Sequence, residues 1–487
     1  MANRGEIALR VMRTCRDLGI ATVAVYSDVD RAAPHVRAAD EAYPIGPAAA
    51  AASYLRLERI IAVATRAGCD AIHPGYGFLS ENADFADAVA AAGLAFVGPP
   101  GMVQRALGEK TSARRLAVAA GVPVAEGTME PLGTESDARA VAQRIGYPVL
   151  LKPAGGGGGK GMRVVAGPAE LGAAWRAATG EAVTAFGAPA LLMERLIEHA
   201  RHVEVQLLAD RHGSIVWLGE RDCSIQRRHQ KLIEETPGPG VDGALRARLG
   251  AAAVAVAAAA RYENAGTAEF LVASDGSFVF LEMNTRLQVE HPVTEAVTGL
   301  DLVALQLRIA AGERLPFAQD AIRPTGAAIE LRITAEDPFA GFVPQGGRVD
   351  FVREPSGPGI RMDSGLAAPL TVPTEYDPLL AKLVVWGPDR TVAIARARRA
   401  AREMIVAGVP TSLPFHSFVL REPDFVAGRY DTDYLANHWA HPAPPDITDG
   451  AAVAAALAGI ARLRSRPRPI ATAAPPWSRS AREDMLR

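Results

Sequence analysis

The sequence predicts an α/β protein (α+β overall), and three observations support that prediction. Helix-period segments and buried strand-like segments alternate over roughly the first hundred residues. Two β-rich runs, 266–273 and 277–284, flank Asp275-Gly276, which is a strong hairpin signal. Strands and helices alternate again from Pro324 onward. With 487 residues the chain has room for about three domains.

Composition excludes several classes of protein. A formal net charge of −2 argues against a dedicated nucleic-acid or anionic membrane surface. Cys15, Cys69 and Cys223 are too far apart for a disulfide framework or a zinc cluster, and we expect small buried thiols in a reducing cytoplasm. No targeting peptide is apparent, and the alanine-rich runs are too short to cross a bilayer. We therefore predict a soluble protein with no nucleic-acid and no membrane partner.

The N-terminal part predicts a doubly wound domain. Apolar residues recur at helical spacing from Ile7 to Leu18, Gly19 closes that helix, and 20–26 predicts a buried strand. Such a domain normally has a strand before its first helix, and only Met1-Ala2 is available, so the strand lies upstream or the sheet lacks an edge. The loop 73–82 follows a strand end, and a ligand-facing loop and a structural turn remain equally open.

A glycine run is the first chemical landmark. Residues 149–154 predict a strand, and the chain continues with Gly155 to Gly159, Lys160, Gly161 and Met162. Successive glycines can turn backbone N–H groups toward phosphate oxygens, and flanking lysines supply positive charge. The run is not a Walker A loop, because no Gly-Lys-Ser/Thr triplet leads into a helix. A flexible linker is the alternative, which the strands predicted on both sides disfavour.

The following segments are predicted in order as strands at 190–193, 202–209 and 214–222, then a helix at 243–261. Between them, 224–231 is rich in hydrogen-bond donors, which suits a polyanionic nucleotide but would also suit an ordinary solvated loop. Further strands are predicted at 327–333 and 382–386. After His438 the composition shifts to Pro, Ala and Arg, which indicates a linker or a poorly ordered tail.

The stretch from Leu281 to His291 is the second chemical landmark. Read with a period of two, Glu282, Asn284, Arg286, Gln288 and Glu290 lie on one side, and the apolar residues lie on the other. We therefore predict the end of a strand that runs into an extended segment lining a cleft.

The hairpin predicts a metal site. If Asp275 and Gly276 are the two turn residues, Glu269 lies opposite Glu282 with Cβ atoms about 5 Å apart, where like charges repel unless a cation sits between them. With Asn284 on the same face, the trio predicts an oxygen-rich Mg²⁺ or Mn²⁺ site. A solvated sheet face is the alternative.

With these motifs in place, residues 2–438 resemble the biotin carboxylase component of biotin-dependent carboxylases, a family of ATP-grasp enzymes. The matching blocks, in chain order, are Ala2 to Ala8, the loop 73–82, Lys152 with Gly155 to Met162, Glu220 to Ser224, Gln226 to Lys231 and Glu282 to Glu295.

The resemblance implies a domain order. It consists of a Rossmann-like pre-ATP-grasp biotin carboxylase N-terminal domain (1–105), an ATP-grasp domain (106–317) with a glycine-rich lid at about 124–195, a mixed α/β biotin carboxylase C-terminal domain (318–438) and a Pro/Ala/Arg-rich tail (439–487).

The resemblance also implies site residues. Glu269, Glu282 and Asn284 would carry Mg²⁺, and bicarbonate would lie against Lys231, Arg286, Gln288, the backbone at Val289, and Glu290. Glu290 would be the general base, and Arg332 would stabilise the biotin enolate. The residues that would hold ATP are Lys110, Lys152, Gly156, Gly157, Gly158, Gly159, Lys160, Met162, Glu194, Leu196, His202, Gln226 and His229.

The implied activity is that of an ATP-dependent ligase: carboxylation of biotin through carboxyphosphate, the first half-reaction of an acyl-CoA carboxylase. No Ala-Met-Lys-Met carrier sequence occurs, so the biotin would sit on a separate biotin carboxyl carrier protein, with a carboxyltransferase on another chain and a homodimer or larger assembly. Two alternatives remain: a different ATP-grasp ligase, and a nucleotide-binding scaffold without activity.

Overall fold

The computed structural model describes residues 1–154, 161–186 and 189–440. Its first segment is α/β, as predicted, with β1 parallel to β2 and β3 parallel to β4. In chain order, the helices and strands are α1 (Gly5–Asp17), β1 (Val23–Ser27), α2 (Pro34–Ala38), β2 (Glu41–Gly46), α3 (Leu57–Arg66), β3 (Ala71–Ile72), α4 (Ala83–Ala91) and β4 (Ala95–Phe96).

The helix predicted from the apolar spacing is confirmed as α1. Ile7 and Val11 are buried, and Gly19 has a φ of +71° just beyond the helix end. The strand after it begins at Val23 rather than at residue 20. Met1 and Ala2 lie between the two strand pairs. The Met1 amino group donates to the Val23 carbonyl at 2.7 Å, and the Ala2 N–H donates to the His73 carbonyl at 3.0 Å.

The next segment is a separate layer around β5, which pairs antiparallel with β6 and β7 and packs on α7 and α8. The glycine run lies between β5 and β6, as predicted, but residues 155–160 are outside the described residues. The elements are α5 (Gly101–Gly108), α6 (Lys110–Ala119), α7 (Glu135–Ile145), β5 (Val149–Pro153), β6 (Arg163–Val165), α8 (Leu171–Phe186) and β7 (Leu191–Arg195).

The remaining elements, which form the middle and C-terminal parts, are β8 (Arg201–Ala209), β9 (Ile215–Arg227), β10 (Gln230–Thr236), α9 (Gly243–Ala259), β11 (Asn264–Val272), β12 (Phe278–Asn284), α10 (His291–Thr298), α11 (Leu302–Ala310), β13 (Ala327–Thr334), β14 (Glu336–Asp337), β15 (Val343–Pro344), β16 (Gly347–Val349), β17 (Phe351–Arg353), β18 (Ile360–Ser364), β19 (Leu370–Val372), β20 (Leu379–Gly387), α12 (Arg390–Glu403), β21 (Ile405–Ala407), α13 (Leu413–Val419), α14 (Pro423–Val426) and α15 (Tyr434–His438).

Within the described ranges, eight strands form one antiparallel sheet in the order β12-β11-β8-β9-β10-β13-β20-β18. The sheet continues through the β10–β13 pairing, so strands on both sides of residue 318 share it. The donor-rich segment 224–231 is a hairpin rather than an ordinary solvated loop, because β9 extends to Arg227 and β10 begins at Gln230. Only Arg228 and His229 turn, with φ of +47° and +65°.

The two faces of this sheet differ because side chains alternate along each strand. Ala268 and Phe270 on β11 pack against α9, and Leu331 on β13 packs against α12. The residues between them point to the opposite face, which carries charged and amide side chains beside apolar residues that pack against α10 and α11. None of the described helices is long and apolar enough to span a bilayer.

Phe270→Ala should lower the free energy of unfolding by about 3–5 kcal/mol, because its buried ring contacts Phe278 and Phe280 and the cavity would lie directly behind Glu269. Urea unfolding followed by circular dichroism measures this loss. The control is Phe418→Ala, since Phe418 is 36% exposed. A loss no larger than that of the control would contradict the packing described for β11.

Candidate active site

The polar face of the large sheet carries a row of buried charged and amide side chains. Glu204 on β8 lies opposite Glu269 on β11 and opposite Arg221 on β9. Arg221 is fully buried and donates to Glu204 at 2.5 Å and to Gln206 at 2.8 Å. Because buried charges are costly unless they are paired, this row is a built site rather than a solvated surface.

The β11–β12 hairpin confirms the predicted pairing of Glu269 with Glu282, although its loop differs from the predicted one. Glu269 lies opposite Glu282, but the loop contains three residues, 274–276, rather than the two-residue turn expected. A register shift between Glu269 and Phe270 compensates for the extra residue. The positive φ of Gly276, +77°, and the bond from the Ser277 N–H to the Asp275 carboxylate at 2.8 Å hold the loop.

Glu269 is the most connected carboxylate on this face. It accepts hydrogen bonds from Lys231 at 2.9 Å, from Asn284 at 2.8 Å and from Gln288 at 3.3 Å, and it contacts His202 Nε2 at 2.8 Å. Burial raises its pKa, but Lys231 and His202 outweigh burial and hold the pKa of Glu269 far below its usual range. Glu269 is therefore ionised throughout the neutral range.

Lys231 joins three carboxylates. Its ammonium nitrogen lies 2.5 Å from Glu204, 2.9 Å from Glu269 and 2.7 Å from Glu290. Burial lowers the pKa of Lys231, but the three carboxylates raise it well above its usual range. The predicted base Glu290 is thereby tied to the predicted metal ligand Glu269 through one cation.

Glu290 and Arg332 form the other end of the row. Arg332 donates to Glu290 at 2.9 Å and to Glu234 at 2.5 Å. Burial raises the pKa of Glu290, but Lys231, Arg332 and Arg221 together hold it well below its usual range. Glu290 is completely buried and is ready to accept a proton only when its cationic surroundings change.

Arg286 is held by Glu81 of the loop 73–82, a contact that fits both a ligand-facing loop and a structural turn. Its Nε donates to Glu81 at 2.8 Å, and its terminal nitrogens donate to Asn284 at 3.1 Å and to Gln288 at 3.2 Å. The loop therefore reaches the cleft. The Val289 carbonyl accepts from Lys382 at 2.8 Å, so this backbone segment is anchored to β20.

The residues predicted to hold nucleotide fall into two groups. The buried Lys152 on β5 pairs with Glu194 on β7, and Glu194 also accepts from Arg114 at 2.6 Å. Lys110 begins α6, and burial together with Lys152 lowers its pKa while Glu282 opposes that change. Lys110 and Lys152 lie on the side of the site where Glu282 lies.

Other predicted nucleotide residues are less closely gathered. Leu196 is half-buried just after β7 and Met162 is half-buried before β6, while Gln226 pairs opposite Lys231 on the β9–β10 hairpin. His229 is exposed at the turn of that hairpin. Gly156, Gly157, Gly158, Gly159 and Lys160 lie outside the described residues.

The donor set at Glu269, Glu282 and Asn284 fits a hard divalent cation. All three offer oxygen ligands, and they come from paired positions on β11 and β12. Burial raises the pKa of Glu282, and the charge of Glu269 raises it further, a repulsion that a divalent cation bound between the two carboxylates would offset.

Sequence reasoning missed four buried residues: Glu204, Glu234 and Lys382 contact predicted site residues, and Arg221 contacts Glu204. A signal for Glu204 was present, because His202, Glu204 and Gln206 alternate with valines and leucine along β8. Glu234 and Lys382 could not be found from spacing, since their partners Arg332 and Val289 lie far away in sequence.

Comparison with known families agrees with this geometry. The biotin carboxylase N-terminal domain matches residues 1–103, the ATP-binding domain of the carbamoyl-phosphate synthase L chain matches 109–318, and the biotin carboxylase C-terminal domain matches 330–437.

Known proteins show the same likeness. A biotin carboxylase of Nostoc sp. is 50% identical over 435 residues, which cover 89% of this chain and 97% of that protein. A pyruvate carboxylase subunit of Methanothermobacter thermautotrophicus is 49% identical over 435 residues, 89% of this chain and 88% of that protein.

Among solved structures, the biotin carboxylase domain dimer of Hydrogenobacter thermophilus 2-oxoglutarate carboxylase, in complex with MgADP, ADP and bicarbonate, superposes with a TM-score of 0.87. It is 45% identical, and the match covers 90% of this chain and 96% of that one. Three family matches in order along the chain and half-identical relatives of nearly full length lead to one conclusion: the chain belongs to the biotin carboxylase family, an ATP-grasp family of ATP-dependent ligases.

Proposed function

We propose that this chain carboxylates biotin attached to a separate carrier protein, using ATP and bicarbonate. The observation that supports the proposal best is the position of Glu290, which bonds Lys231 at 2.7 Å and Arg332 at 2.9 Å. Glu290 is thus linked through Lys231 to Glu269, where the metal-bound nucleotide would lie, and it also contacts Arg332, which would face biotin.

In the first step, Glu290 takes the proton of bicarbonate, and the freed oxygen attacks the γ-phosphorus of ATP. The bond to the β,γ-bridging oxygen breaks, and carboxyphosphate and ADP result. Lys231, Arg286 and Gln288 hold the bicarbonate oxygens in line, and Lys152 and Lys110 offset phosphate charge. When bound at Glu269, Glu282 and Asn284, Mg²⁺ or Mn²⁺ supplies further positive charge to the phosphate oxygens.

In the second step, carboxyphosphate breaks into CO₂ and phosphate, and phosphate takes the proton of the biotin ureido nitrogen. The resulting enolate attacks CO₂ and forms carboxybiotin. Arg332 faces the developing negative oxygen, because a fixed guanidinium in a buried site stabilises such charge without reorganisation. Closure of the lid, residues 124–195, would keep water from the labile intermediate.

Glu282→Gln should raise the Mg²⁺ concentration needed for half-maximal turnover by at least about tenfold, since even residues that only orient metal ligands cost about 10–100-fold in affinity. A Mg²⁺ titration of ADP release measures the effect. The matched control is Glu263→Gln, a half-buried glutamate that lies just before β11 and away from this face. An unchanged Mg²⁺ requirement would remove Glu282 from the metal site.

The wider context is also proposed. We place the biotin carboxyl carrier protein and the carboxyltransferase on other chains, with a homodimer or larger assembly, in the cytoplasm, where the free Cys15, Cys69 and Cys223 would stay reduced. We assign an acyl-CoA as the final acceptor, and a 2-oxo acid is the second candidate because of the likeness to the pyruvate carboxylase protein of Methanothermobacter thermautotrophicus. Domains are proposed at 1–105, 106–317 and 318–438, followed by the tail 439–487.

ADP release in the presence of Mg²⁺ tests the activity. It should require bicarbonate, and free biotin should accelerate it. Turnover that ignores biotin but responds to an amine acceptor would indicate a different ATP-grasp ligase. Tight ATP binding without any turnover would indicate a scaffold.

A further inference from the structure

A second pair of facing carboxyl groups lies behind Arg332. Glu234 on β10 and Glu330 on β13 occupy directly paired positions of the large sheet, and both are completely buried. Directly opposite residues of an antiparallel pair have Cβ atoms about 5 Å apart. The two carboxyl groups therefore meet in the interior.

Their hydrogen bonding is unequal. Glu234 Oε1 accepts from Arg332 at 2.5 Å, while Glu234 Oε2 and both oxygens of Glu330 have no partner among the described residues. Three of the four oxygens are thus unpaired in a place without solvent. An unpaired buried carboxylate costs several kcal/mol, so one of these groups should retain its proton and donate it to the other.

The nearby cations are already taken. Lys231 binds three other carboxylates, Arg332 binds Glu234 and Glu290, and Lys382 lies 3.1 Å from Glu6 and donates to the Val289 carbonyl at 2.8 Å. The remaining titratable groups toward this face are Glu290 and the thiol Cys223, with His291 and Glu295 on α10, which packs over it. Glu295 is paired with Arg10 and Arg361.

We propose that Glu330 is a positioning residue that remains a neutral acid and donates its hydroxyl hydrogen to Glu234, so that Glu234 stays the carboxylate that orients Arg332. The proposal rests on the assignment of Arg332 to the biotin enolate. It gives Arg332 one partner on each side, Glu234 and Glu290, and keeps a third negative charge away from the guanidinium.

The directions of the pKa shifts agree with a protonated Glu330 and an ionised Glu234. Burial raises the pKa of Glu330 well above its usual range, with Lys382 opposing and Glu234 adding to the rise. Burial raises the pKa of Glu234 to about 7, although Arg332 opposes it. The proton therefore remains on Glu330 when Glu234 has lost its own, as in other coupled carboxyl pairs.

The consequence is a loss of function at alkaline pH. As pH rises through the pKa of Glu330, a second charge appears beside Glu234 and pulls Arg332 away from biotin. Stability falls in the same range, because a carboxyl whose folded pKa is raised contributes stability at low pH that is lost as pH rises.

The experiment compares wild type, Glu330→Gln and Glu330→Leu. Glu330→Gln keeps a donor and should stay within about threefold of wild-type kcat/KM for biotin at neutral pH, with a smaller decline in activity and in stability at alkaline pH. Glu330→Leu removes the donor and should raise KM for biotin about tenfold, while KM for ATP is unchanged. The surface change Glu313→Gln is the charge-matched control.

An infrared difference spectrum gives a readout that does not need turnover. Wild type should show the C=O stretch of a buried protonated carboxylic acid, which Glu330→Gln removes and Glu313→Gln leaves. The proposal is overturned if that band persists in Glu330→Gln, or if folded Glu330→Gln loses activity at every pH. If wild type has no biotin-dependent turnover, the assignment of the reaction fails, and the spectrum and stability profile still decide the state of Glu330.

Discussion

Glu290→Gln should reduce bicarbonate-dependent ADP release about 10²–10⁴-fold, which is the usual contribution of a positioned general base. The amide cannot take the bicarbonate proton, although it has nearly the same shape. ATP affinity should change little, because Glu290 faces Lys231 and Arg332 and lies beyond the acidic pair. A steady-state assay measures the turnover, and titration calorimetry with ATP measures the binding.

The control for Glu290→Gln is Glu336→Gln, a change in another buried glutamate that lies on β14 outside the row. It should retain turnover. If Glu290→Gln lost ATP binding in proportion to turnover, Glu290 would have a structural role. If it kept most of the turnover, another group would be the base.

Lys231→Met should destabilise the fold by about 3–5 kcal/mol and abolish turnover, since removing one partner of a buried ion pair leaves an uncompensated charge. Here three carboxylates lose the cation that lies between 2.5 and 2.9 Å from each of them. Urea unfolding at several pH values measures the loss. The loss should shrink as pH falls, because Lys231 stabilises the fold by lowering the pKa of Glu269 and Glu290, and that stability is lost in the wild type too once these carboxylates are protonated.

Two further variants test whether the destabilisation comes from the lost positive charge and from the number of carboxylates that Lys231 binds. Lys231→Arg keeps the charge and should recover most of the stability. Arg390→Met removes a cation with one carboxylate partner, Glu235 at 2.6 Å, and should cost less than Lys231→Met. Equal losses in Lys231→Met and Arg390→Met, without any pH dependence, would contradict the central place of Lys231.

Local patterns predicted much of the site. The period-two row from Glu282 to Glu290 and the pairing of Glu269 with Glu282 were readable because both depend on residues close in sequence. The three-residue loop was not, since a register shift between Glu269 and Phe270 compensates for the extra residue and leaves the same two glutamates opposite each other. The strand ends in the donor-rich segment 224–231 were not readable, because its half-buried and exposed polar side chains at 226–231 show no alternation with apolar residues.

The order in which distant strands pair could not be predicted. Glu234 meets Arg332 only because β10 lies beside β13, and Lys382 reaches Val289 only because β20 lies beyond β13. Spacing along the chain holds no information about such neighbours, so the partners of the predicted residues emerge only from the folded sheet.

The shared sheet also bears on how turnover proceeds. Strand β11 carries Glu269 and strand β13 carries Arg332, and both belong to one hydrogen-bonded sheet. The distance between the proposed nucleotide end and the proposed biotin end of the site is therefore fixed by the spacing of the strands. Hinge motion between the middle and C-terminal parts would have to break that sheet. If biotin is attached to the proposed separate carrier protein, movement of biotin would depend on the carrier, and the length of its linker should govern how often biotin arrives.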